Sequence, residues 1–161
     1  MDQEIVSATL TVAVPAARVF AVLADPTTHV SIDGTGWVEK CLDPEPLTAA
    51  GQVFRMAMYH PNHPDGRYRI ANKVLVLDPP RAIGWMPGTE QEDGRLEFGG
   101  WTWRYDLAPL GPSKTEVTLT YDWSAVPQSV RERLPFPPFG PEHLPNSLRH
   151  LADLAAQKSH P

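Results

Sequence analysis

Residues 101–123, "WTWRYDLAPLGPSKTEVTLTYDW", read as two strands joined by a turn. Trp101, Trp103, Tyr105 and Leu107 fall at alternate positions of the first run, and Val117, Leu119, Tyr121 and Trp123 at alternate positions of the second. Successive side chains of a strand point to opposite faces, so each run has an apolar side and a polar side. "GPS" at 111–113 is turn chemistry. A turn that sets Leu110 opposite Lys114 also sets Leu107 against Val117, Tyr105 against Leu119, Trp103 against Tyr121 and Trp101 against Trp123. The reverse side carries Arg104 near Thr120 and Asp122, with Asp106 opposite Thr118, groups that belong in water. The outcome is an antiparallel hairpin with one wet face and one dry, strongly aromatic face.

Outward from this hairpin, the rest of the chain supplies partners for the dry face. "EIVSATLTVAV" (4–14) is a β-branched strand that Pro15 ends. "PAARVFAVLAD" (15–25) changes to helical spacing, with Val19, Val22 and Leu23 on one stripe and Pro15 suited to a first turn. After the turn-rich "DPTTHVSIDGTG" (25–36), strands are expected over 37–43, 52–60, 68–77, 81–87, 96–110 and 115–126, seven in all with the first. The loop "PNHPDGR" (61–67) is expected to let His60 pair with Tyr68, setting Met58 opposite Ile70, Met56 opposite Asn72 and Phe54 opposite Val74. That face is mostly apolar; the other carries Tyr59, Arg55, Arg69 and Lys73. Finally, "HLPNSLRHLADLAAQK" (143–158) places Leu144, Leu148, Leu151 and Ala155 on one helical stripe. This is the long amphipathic helix available to cover the sheet.

Composition narrows the function classes. A chain of 161 residues is expected to form one domain over 1–161, able to bury roughly 70% of its unfolded surface without a staple. Its 18 prolines and 11 glycines fall short of the roughly 25–30% that marks low-complexity chains. The formal charge is −5 with no Lys/Arg cluster, which argues against a nucleic-acid partner. No apolar run approaches the ~20 residues of a membrane span, so membrane insertion is not expected. Cys41 is single and reads as a small apolar filler on the face of Trp37 and Glu39. The first residues lack a basic start and apolar run, and cytoplasmic location is the expectation. "YHPNHPDG" (59–66) offers His60, His63 and Asp65, but its prolines forbid the helix that would bring them together, so no metal is expected. "GTG" (34–36) lacks the strand–glycine–helix setting of a nucleotide fingerprint, and no cofactor is expected.

Four phrases, in order, resemble one superfamily: "VAVPAARVFAVLADPTTHV" (12–30), "LVLDPPRAIGW" (75–85), "WRYDLAPLGPSKTEVTLTYDW" (103–123) and "LPNSLRHLADLA" (144–155). They are similar to the START-like (SRPBCC) superfamily, and within it to the polyketide cyclase/dehydrase and lipid-transport group. The resemblance implies an α+β helix-grip, β-α(α)-β6-α, whose curved seven-stranded antiparallel sheet wraps a long C-terminal helix around an apolar cavity. It implies binding of a small apolar ligand, lipid-like or aromatic polyketide-like, by a monomer or homodimer. Members also include cyclases and hydrolases, so the site must decide the activity.

On this reading the ligand-facing residues are Phe54, Met56, Met58, His60, Tyr68, Asn72, Trp85, Trp103, Tyr105, Tyr121 and Leu148. A wall rich in Trp, Tyr and Met suits a pocket, because a purely structural core favours Leu, Ile and Val. Trp101 and Trp123, nearer the strand ends, could instead plug the mouth of the sheet. An enzymatic alternative of cyclase/dehydratase type uses His60, Tyr68 and Asn72, the first two for proton exchange and the amide for a developing oxyanion. Asp33 and Glu39 could add a carboxylate, the connection carrying Asp33 having no fixed place in the sequence pattern. A third reading is a protein-interaction module acting through "LPFPPF" (134–139) or the outer sheet.

Overall fold

The computed structural model describes residues 4–33, 38–59, 67–91, 93–132 and 141–157. Eight antiparallel strands form one open, curved sheet: β1 (Ile5–Val12), β2 (Val38–Cys41), β3 (Val53–Tyr59), β4 (Arg67–Asp78), β5 (Ala82–Glu90), β6 (Leu96–Phe98), β7 (Thr102–Pro109) and β8 (Thr115–Asp122). The strand order is β1-β8-β7-β5-β4-β3-β2, with β6 pairing β5 off that path. Among the described residues four α-helices accompany it: α1 (Ala16–Leu23), α2 (His29–Asp33), α3 (Gln128–Arg131) and α4 (His143–Gln157). This is the helix-grip that the family resemblance implies.

The closing hairpin has the predicted register: Trp103 opposes Tyr121, Tyr105 opposes Leu119 and Leu107 opposes Val117. Its turn closes with the Leu110 N–H donating to the Lys114 carbonyl at 2.9 Å. The ladder begins at Thr102–Asp122, so Trp101 and Trp123 lie just outside it. Trp123 joins Tyr121 and Val126 in a small second core, with Trp101 packed against it.

Two expectations are corrected. In the β3–β4 hairpin, Phe54 opposes Asn72, Met56 opposes Ile70 and Met58 opposes Tyr68, a slip of two residues from the predicted pairing. An even slip keeps every side chain on its face, so the apolar alternation cannot distinguish the two registers. The predicted strand over 96–110 is also divided, because Gly99, Gly100 and Trp101 leave the ladder between β6 and β7. Gly100 has φ +102, and a Cβ there would meet the Ala125 carbonyl oxygen at 2.6 Å. The break therefore needs glycine at a close backbone approach.

Local chemistry explains the helices on the inner face. Asp25 caps the single 3-10 turn at Pro26–Thr28, its carboxylate accepting from the Thr27 N–H at 3.0 Å. That turn folds back on α1: Thr28 Oγ1 donates to the Val22 carbonyl at 2.8 Å, and His29 Nε2 meets the Leu23 carbonyl at 2.9 Å. Carbonyls that end α1 without an intrahelical partner are thereby satisfied. α4 packs on β1, β8, α1 and α2. Leu144, Leu148, Leu151 and Ala155 are all buried. Each leucine contributes roughly 1.5–3 kcal/mol of burial. α2 is tied to α4 as well, by Ser147 Oγ to the Asp33 carbonyl at 3.4 Å and by His150 Nδ1 to the Ile32 carbonyl at 3.1 Å.

Candidate functional site

The inner face of β3, β4, β5, β7 and β8 carries the aromatic wall, and its burial is uneven. Phe54, Met56, Val74, Ile83, Leu119 and Tyr121 are fully buried. Met58, Tyr68, Ile70, Trp85 and Trp103 are only half-buried. Trp85 and Trp103 are paired across β5 and β7. Trp103 leans on Tyr121 with ring centroids 4.5 Å apart, and Trp85 on Tyr105 at 6.0 Å. These separations lie in the range of favourable tilted ring pairs.

Two histidines complete the wall. His29 stacks on Trp85 at 5.0 Å and meets Phe54 edge-on at 5.3 Å. His143, the first residue of α4, meets Trp103 edge-on at 5.8 Å. Burial pushes both imidazoles below their ordinary range, because the charged form loses hydration. Since the Leu23 carbonyl can only accept, Nε2 of neutral His29 carries the proton. Trp103 thus faces the start of α4.

Asp33, at the end of α2, is the acidic member of the site. It takes the Val38 N–H on Oδ2 at 3.2 Å. Its negative charge acts on Tyr68, Tyr105 and His143, side chains from β4, β7 and α4. Burial, more than this carboxylate, raises the pKa of both phenols. Both remain hydrogen-bond donors across the physiological range. The charge of this one carboxylate thus reaches two phenols and an imidazole from three elements, groups of the kind that can hold a polar group or move a proton.

The sequence-predicted residues distribute as follows. Phe54, Met56, Met58, Tyr68, Asn72, Trp85, Trp103, Tyr105 and Tyr121 all sit on inner-face positions of the sheet. Leu148 lies in the main core. His60, together with His63 and Asp65, lies outside the described residues, as does "LPFPPF". Glu39 is exposed. Cys41 packs at the core margin and donates Sγ–H to the Asp43 carbonyl at 3.3 Å. His29 and His143 were not anticipated. The signal for His29 was the Asp-Pro-Thr-Thr cap, which fixes a tight turn just before it. Among the described residues, no three His, Cys, Asp or Glu side chains group to hold a metal ion. No helix among them is long and apolar enough to cross a membrane.

No family model matches the chain. Two curated relatives, uncharacterised proteins from two strains of Mycobacterium tuberculosis, are each 32% identical to it over 120 residues. Those residues are 74% of this chain and 48% of each relative, so the chain spans about half the length of the curated relatives it matches. Solved structures resemble it over nearly its whole length. A Mycobacterium smegmatis protein superposes with TM-score 0.67 at 16% identity, over 96% of this chain and 92% of its own. The ZhuI aromatase/cyclase of a Streptomyces gives 0.64 at 19% identity, over 97% and 95%. Norcoclaurine synthase of Thalictrum, bound to a transition-state analogue, gives 0.63 at 14% identity, over 96% and 95%. At these identities the likeness establishes the fold.

Proposed function

The chain has the START-like (SRPBCC) helix-grip fold, and from that premise we propose that it binds a small apolar molecule, aromatic rather than purely aliphatic, between the inner face of the sheet and α4. The observation that carries this reading is the uneven burial of the wall. Trp85 and Trp103 are half-buried beside fully buried Ile83, Leu119 and Tyr121. Rings that only filled a core would be closed like Ile83, Leu119 and Tyr121, whereas partly exposed rings can offer surface to a flat ligand. Two proteins of this fold, an aromatase/cyclase and norcoclaurine synthase, support an aromatic ligand class by analogy.

Trp103→Leu tests it, by removing the indole while keeping much of the apolar bulk. Affinity for an apolar fluorescent probe should fall by about 1–3 kcal/mol, the worth of the lost contact area. The urea midpoint should move far less than the 3–5 kcal/mol cost of emptying a closed aromatic site. Unchanged probe binding with a collapsed midpoint would make Trp103 a core residue and defeat the reading.

A second reading, an enzyme of cyclase/dehydratase type at the same place, is favoured by the charge of Asp33 acting on Tyr68, Tyr105 and His143. Here the Asp33 carboxylate or neutral His143 takes a proton from an enolisable substrate, and a phenol donates to the oxygen where charge develops. Of the earlier candidates, Tyr68 keeps its place in this set. Asn72 sits four residues along β4 from it, beside Phe54.

A further inference from the structure

α2 is only five residues long, too short to hold its shape alone, so its contacts decide where it lies. Its far end is tied to α4, Ser147 Oγ donating to the Asp33 carbonyl and His150 Nδ1 meeting the Ile32 carbonyl. Its first residue is held on the sheet by rings. His29 stacks on Trp85 at 5.0 Å, meets Phe54 edge-on and donates through Nε2 to the Leu23 carbonyl. The latch that holds α2 to the inner face is therefore a buried imidazole in an apolar cage. A proton on that ring would place a charge where little water can reach it. The charged and titratable groups on the surrounding elements are Arg18 on α1, Asp25 at the turn, Asp33 at the far end of α2, Glu39, Lys40 and Cys41 on β2, and His143 and His150 on α4. β3 and β5 meet the ring with Phe54 and Trp85. Among the described residues Asp25 is the one whose charge acts on His29, and burial outweighs it.

We propose that α2 is an acid-released gate over Trp85, its His29 end lifting from the sheet on protonation while its other end stays tied to α4. Opening bares the face of Trp85 that His29 covers. The release is a property of the fold; its use in ligand entry rests on the binding reading above. Proton linkage sets the size of the effect. The opened imidazole takes up a proton near its ordinary pKa of 6.5, whereas the caged one is lowered, so the open-to-closed ratio rises at most about tenfold between pH 7.5 and 5.5. Attraction of the charged ring to the face of Trp85 works against release, and burial sets the sign.

Hydrogen exchange at the two pH values, each rate divided by its intrinsic rate, reads the gate in the wild type and in His29→Gln. At pH 7.5 the wild-type amides of residues 29–33 should be less protected than those of β8, the mark of a local opening. Their protection should fall by up to about tenfold at pH 5.5 in the wild type and stay level in the variant. Unchanged protection in the wild type, or an equal fall in the variant, would overturn the gate. So would protection equal to that of β8 at both pH values, because α2 would then open only when the whole fold does. The wild-type arms alone can refute the proposal, whatever the variant does to folding. An apolar fluorescent probe followed by stopped flow tests the use of the gate: association with the wild type should be faster at pH 5.5 than at 7.5. Equal rates would take ligand entry away from α2. A probe that binds at neither pH would defeat the binding reading, while the exchange result decides the release by itself.

Discussion

His29 makes the stability of this fold depend on acid pH, with a sign and a ceiling that follow from its surroundings. The ring is 8% exposed, stacked on Trp85, edge-on to Phe54, and bonded through Nε2 to the carbonyl of Leu23. Burial lowers its pKa from the ordinary 6.5, with the Leu23 carbonyl and Asp25 opposing the shift more weakly. A base whose folded pKa is lowered is neutral in the folded chain while the unfolded chain takes up a proton. Its stability is therefore complete above the unfolded value and is lost as pH falls below about 6.5 toward the folded value. At pH 5.5 the unfolded imidazole gains about 1.4 kcal/mol from its proton, and a folded ring that stays neutral forgoes all of it. The loss from His29 between pH 7.5 and 5.5 is thus at most about 1.4 kcal/mol, and His143, lowered for the same reason, has the same ceiling. Urea midpoints of the wild type and His29→Gln, taken at both pH values, measure it. Glutamine can still donate toward Leu23 but cannot titrate. The wild type should lose more stability on acidification than the variant; parallel losses in the two proteins would refute the assignment of the effect to a buried, neutral His29.

Gly100→Ala should destabilise by roughly 1–3 kcal/mol, because φ +102 and a 2.6 Å approach to the Ala125 carbonyl are both closed to a Cβ. Gly94→Ala, at φ +86 with open space around it, should cost less in the same urea titration, and the reverse order would contradict the break between β6 and β7. For the enzymatic reading, Asp33→Asn should lower turnover of an enolisable aromatic substrate by about 10²-fold or more with apolar-probe binding retained. Unaltered turnover would take proton transfer away from this carboxylate.

Alternation and turn chemistry in the sequence were enough for the strand faces and for one register, while the helix-grip arrangement rested on the family resemblance. Residues 101–123 pair as their pattern requires, since a short turn at 111–113 leaves little freedom, and the stripe from Leu144 to Ala155 is buried as its spacing predicts. Even slips leave alternation intact, which is why the β3–β4 pairing was open by two residues until the tertiary structure set Phe54 opposite Asn72. The glycine break at 99–101 depends on how closely the backbone at Ala125 approaches, a distance that no local pattern encodes. The site divides in the same way. Its inner-face aromatics were legible because strand parity is a property of the chain. The meeting of Asp33, His29 and His143 with that face was not. Those residues come from the two ends of the short α2 and from the start of α4, and only the packing of α1, α2 and α4 against the sheet decides where such segments place their side chains.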